Sequence, residues 1–128
     1  MHNHKDDIGP ELVFLLRQQR SLYHQLRAVA EKQRQVAGTG SPELLLKITS
    51  GRRKLIEKLR EVETKLQLIK ANWPTVCRRI GSHHKAEART MQDEIQAILG
   101  QIQVEPRIED EGVLQLSKVD LAEELRVE

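Results

Sequence analysis

From Leu12 onward, apolar side chains return at every third and then every fourth residue: Leu12, Leu15, Leu22, Leu26, Val29 and Val36, with Gln19 and Gln33 filling the remaining seam positions. That is the signature of one buried face on a long helix. The run ends in Gly38-Thr39-Gly40-Ser41-Pro42, where glycines stop one helix, Ser41 suits a cap and Pro42 suits the first turn of the next. Beyond it the same rule selects Leu45, Ile48, Leu55, Leu59, Val62, Leu66 and Ile69, interrupted at Arg52. Thirteen of these 16 positions are apolar, where composition alone would supply about 6. Centring the reversal between Gly40 and Ser41 puts residues whose numbers add to 81 at equal height, so Leu22 faces Leu59 and Leu15 faces Leu66. The pattern predicts an antiparallel helical hairpin.

The seam alone does not offset the entropy of ordering two such arms. Leu16, Tyr23, Ala30 and Ala37, seven apart, widen the stripe of the first helix along one flank, which calls for a third helix or an oligomer partner there. The candidate spans 82–103, with Ala88, Met91, Ile95, Ile98 and Ile102 as its seam, Leu99 beside it and Ser82 as N-cap. Asn72-Trp73-Pro74-Thr75 should break or kink the chain, because Pro74 disfavours a helical Trp73. After Gln103 the pattern weakens: Pro106, the acidic Glu109-Asp110-Glu111 and scattered Leu and Val read as a weakly ordered tail with exposed apolar side chains. The expected fold is all-α, a coiled-coil-like hairpin with a third packing helix over 1–103 and an acidic tail over 104–128.

Composition agrees with that reading. The 128 residues hold one Phe, one Trp and one Tyr, too few for an ordinary sandwich or barrel, while charged residues make up 31%. The net charge of +2 hides an asymmetry, since residues 1–90 carry 18 Lys+Arg against 9 Asp+Glu and the remainder carries 3 against 10. Arg17, Arg20, Arg27 and Arg34 form a stripe that could meet phosphates. With no interleaved aromatics, a solvated face neutralised by Glu31, Glu57, Glu61 and Glu63 is favoured over nucleic-acid binding. One cysteine excludes an internal disulfide, no apolar run is long enough to span a bilayer, and residues 1–7 are polar where a secretory signal would be apolar. Cytoplasmic residence is expected.

Catalytic and metal chemistry find little support. Gly38-Thr39-Gly40 lacks the strand and the Gly-Lys-Ser/Thr of a phosphate loop. His83-His84 with Cys77 and Glu87, and His2 with His4, fall short of a four-ligand zinc pattern. Cys77 beside Arg78 and Arg79 has no evident base, and Asp93-Glu94 lie on a helix without a cleft. No enzyme, metal or cofactor is expected. Gly51 and Arg52 interrupt the second helix, so the distal third of the hairpin should be the least stable; polar seam residues there would fix register.

The stretch from Leu16-Arg17-Gln18-Gln19-Arg20-Ser21-Leu22-Tyr23-His24-Gln25-Leu26, through the polar reversal, to Arg52-Arg53-Lys54-Leu55-Ile56 and Leu59 resembles the FlgN family of flagellar export chaperones. Asp93-Glu94-Ile95-Gln96-Ala97-Ile98-Leu99 on a third helix extends the likeness. The resemblance implies a cytoplasmic chaperone that binds the helical ends of hook-filament junction proteins and delivers them to the flagellar type III export apparatus. It also implies cargo binding near the C-terminus, at Ile98, Ile102, Leu114, Leu116, Leu121 and Leu125. Two other readings come from the residues themselves. One is a coiled-coil adaptor, monomeric or dimeric through Leu16, Tyr23 and Ala30. The other is a nucleic-acid-binding hairpin.

Overall fold

The computed structural model describes residues 8–103 together with Leu121, Glu124 and Leu125. Four helices follow one another, α1 (Gly9–Ala37), α2 (Pro42–Ala71), α3 (Trp73–Cys77) and α4 (Ser82–Gln103), with no strand among the described residues. The two arms are 29 and 30 residues long, or about 45 Å at 1.5 Å per residue. Gly40 adopts φ +71°, the left-handed conformation that lets the chain reverse in four residues. Ser41 holds the cap position of α2 without a side-chain cap bond, and Pro42 opens the helix.

At the other end of α2 the break comes at Asn72. Its side-chain amide donates to the Leu68 carbonyl at 2.9 Å, while its own carbonyl accepts from Val76 N–H at 3.0 Å, so one residue closes α2 and opens α3. Gly81, rather than Ser82, takes the cap position of α4, because the Lys85 N–H donates to the Gly81 carbonyl at 3.0 Å and Ser82 is already helical.

The central helix is α1, which packs against both α2 and α4. Leu12, Leu15, Leu22 and Leu26 of α1 are buried together with Leu59, Val62, Leu66 and Ile69 of α2. Leu16, Tyr23 and Ala30 are buried as well, and Leu16 and Tyr23 join Ala88, Met91, Ile95, Ile98, Leu99 and Ile102 of α4 in a continuous core. Ala37, the fourth member of that flank, is exposed. Three contacts between the long helices explain why. Arg17 meets Glu87, Arg20 meets Glu94 and Arg27 meets Gln101, so α1 and α4 run parallel, with an offset of 74 residues at the last two contacts. On that register Gln103 at the end of α4 stands level with the last third of α1, and α4 stops short of the hairpin tip.

The expected exposed tail is corrected at two positions. Leu121 and Leu125 are 1% and 0% exposed and belong to the same core. Leu125 N–H donates to the Leu121 carbonyl at 2.9 Å, an i→i−4 helical bond. Arg89 of α4 donates from Nε (3.1 Å) and Nη2 (2.7 Å) to the Leu125 carbonyl. Leu114, Leu116, Pro106 and residues 109–111 lie outside the described residues.

Candidate functional site

Four of the six residues proposed as cargo anchors are already engaged within the chain. Ile98 and Ile102 are each 4% exposed on the core face of α4, and Leu121 and Leu125 pack into the same core. They are therefore not the unsatisfied apolar surface expected of a free binding site. Burial is the physical reason: each sits at core spacing on its helix, and Arg89 ties the carbonyl of Leu125 to α4. The structure thus brings the C-terminal leucines and the third helix together into one seat.

The oligomer face is similarly occupied. Leu16, Tyr23 and Ala30 are covered from within the chain, with α4 packed against α1. The arginine stripe is also committed. Arg17 pairs with Glu87 at 2.9 Å, Arg20 with Glu94 at 2.6 Å and Arg34 with Glu31 at 2.7 Å, while Arg27 donates to Gln101 at 2.6 Å. Each such surface pair contributes only about 0–1 kcal/mol, so these arginines are engaged within the chain but not strongly held.

Glu63, grouped by sequence among the surface acids, is instead 3% exposed. Gln19 Nε2 and Tyr23 Oη both donate to its Oε2, the latter at 3.1 Å. Burial pushes its carboxyl up to about 8, against the lowering effect of the two hydrogen bonds. Burial, reinforced by the neighbouring Glu63, likewise pushes the Tyr23 phenol well above its ordinary range. Gln92 of α4 is 1% exposed. Lying in sequence between Glu87 and Glu94, it stands at the same level as Gln19. A signal for this buried polar layer was present: Gln19 breaks the apolar seam, and the predicted register places residue 62 opposite it, one position from Glu63.

The second seam interruption behaves as its position suggests. Arg52 Nη1 donates to Gln33 Oε1 at 3.3 Å across the distal hairpin, both residues half-buried. Elsewhere, Cys77 is half-buried with Lys85 Nζ 3.9 Å from its sulfur. The rings of His83 and His84 lie 5.4 Å apart. Among the described residues no group of three or more His, Cys, Asp or Glu is arranged to hold a metal ion, and no helix is long and apolar enough to cross a membrane. His2 and His4 lie outside those residues.

Comparison with protein-family models, with curated proteins and with solved structures gives no match. The functional reading accordingly rests on this chain's own residues and packing.

Proposed function

We propose that the protein is a helical export chaperone of the FlgN type, which holds the helical ends of flagellar hook-filament junction proteins unassembled until the export apparatus receives them. One observation carries the reading. The helical core already takes in leucines at i and i+4, Leu121 and Leu125, joined by an i→i−4 bond, and Arg89 of α4 grips the Leu125 carbonyl. A cargo helix with the same two-anchor spacing is the kind of ligand such a seat fits. In this reading cargo takes the place of Leu121 and Leu125, and Ile98 and Ile102 become its neighbours on α4.

The test is calorimetric titration of the helical terminal segment of a hook-filament junction protein into the full chain and into a chain ending at Gln103. Removing the internal occupant should tighten binding. Weaker or unchanged affinity overturns the exchange, and absence of binding to both chains overturns the chaperone reading itself. Because the truncated chain loses two core leucines, Leu125→Ala in the full-length protein, which weakens the internal occupant and leaves Arg89 in the seat, serves as the parallel variant and should shift affinity in the same direction.

The rival readings keep less support. A dimer through Leu16, Tyr23 and Ala30 needs a face that α4 covers, and a nucleic-acid hairpin needs arginines that are paired within the chain.

A further inference from the structure

We propose that Glu63 is a neutral carboxylic acid in the folded protein, closed onto the Gln19 carboxamide by two hydrogen bonds, and that this proton locks the α1–α2 seam. Gln19 Nε2 donates to Glu63 Oε2, which also accepts from Tyr23 Oη. The other oxygen of each partner, Glu63 Oε1 and Gln19 Oε1, is buried and has no donor among the described residues. Two buried acceptors on one bonded acid–amide pair are a costly arrangement for a carboxylate. A single proton on Oε1 resolves both: Glu63 Oε1–H donates to Gln19 Oε1, and the pair becomes the planar two-bond ring that acids and amides form readily. Every polar atom of Glu63 and Gln19 near the contact then has a role.

The surroundings favour the neutral form. From α1 the groups facing Glu63 are Gln19 and Tyr23, neither a cation. From α4 the residue at this level is Gln92, and the nearby charges are already engaged. Arg89 is held on the Leu125 carbonyl, and Glu87 and Glu94 are held by Arg17 and Arg20 at the outer edge. Among the described residues no Lys, Arg or His forms an ion pair with Glu63.

Burial sets the direction of the linkage. The carboxyl is raised from 4.5 to about 8, so its contribution to stability is complete below about 4.5 and is lost as pH climbs toward about 8. Between those limits the unfolding constant should rise up to about tenfold per pH unit from this one group. Above that range, ionisation leaves a buried negative charge between α1 and α2, and the seam loosens at this level.

Two measurements on the intact chain decide it. In carbon NMR of the Glu63 side-chain carboxyl, the protonated signal should persist through neutral pH and titrate near pH 8; titration in the ordinary carboxylate range overturns the proposal. In urea unfolding across the same pH range, Glu63→Gln, which keeps the two-bond ring with the Gln19 amide but cannot ionise, should abolish the wild-type slope. An equal slope in Glu63→Gln, or none in the wild type, also overturns it. Should the variant fail to fold, the titration of the wild-type carboxyl decides alone.

Discussion

Tyr23 is the residue at which both flanks of α1 meet. Its ring is fully buried in the core shared with α4, while its hydroxyl reaches across to Glu63 of α2. A buried phenol beside an acid resists losing its proton, so this one tyrosine should not ionise at pH values where a free phenol does. Absorbance in alkaline solution should show no phenolate until the chain unfolds, and then show it abruptly. Tyr23→Phe removes a donor to Oε2 without opening a cavity. It should cost about 0.5–1.5 kcal/mol in urea unfolding near neutral pH and raise the Glu63 midpoint further, since the hydrogen bond from Tyr23 lowers it. A lowered midpoint in the Phe variant would contradict that role.

At the scale of elements, two glycines on long helices should respond with opposite signs. A Cβ at Gly51 meets no atom within 4 Å, so Gly51→Ala should stabilise the distal hairpin by about 1 kcal/mol through helix propensity alone. A Cβ at Gly9 would lie 2.5 Å from His84 Nδ1 and 2.8 Å from its Cβ. Gly9→Ala must therefore spread α1 from the start of α4, at a cost of about 1–3 kcal/mol. Thermal unfolding of the two variants should move in opposite directions.

The hairpin and α4 were legible because their apolar residues repeat at three and four over many turns, and a repeat that long admits no other periodicity. The register was legible from the reversal: Gln19 bonds to Glu63, within one residue of the predicted height. What the pattern could not reveal is which polar residues go inside. Glu63 lies next to the seam residue Val62, and only the polar Gln19 and the hydroxyl of Tyr23 across the interface make its burial tolerable. The buried crossing of Gln19 with Glu63 breaks if the arms slip, so it specifies a register that leucines alone would leave degenerate. Leu121 and Leu125 escaped for a different reason. Two leucines four apart are too few to declare a face, and their burial depends on a core assembled from residues distant in sequence.

For the molecule as a whole, the C-terminal contact is the part on which the proposed cargo exchange turns. Burying two leucines contributes about 3–6 kcal/mol, whereas fixing the five residues of one helical turn costs about 5–10 kcal/mol in backbone entropy, so the leucines alone do not outweigh it. The guanidinium of Arg89, donating twice to the Leu125 carbonyl, adds about 1.5–3 kcal/mol. That increment is comparable with the shortfall, so Arg89→Ala should detach the turn while leaving the α1–α2 seam intact. Hydrogen exchange can separate the two regions. The Leu125 amide, bonded to Leu121, should lose its protection in Arg89→Ala, and the amides around Leu59 and Leu66 should keep theirs. Retained protection at Leu125 would mean that the leucines hold the seat unaided, and loss at both places would mean that the turn is an integral part of the core rather than an occupant that a cargo helix could replace.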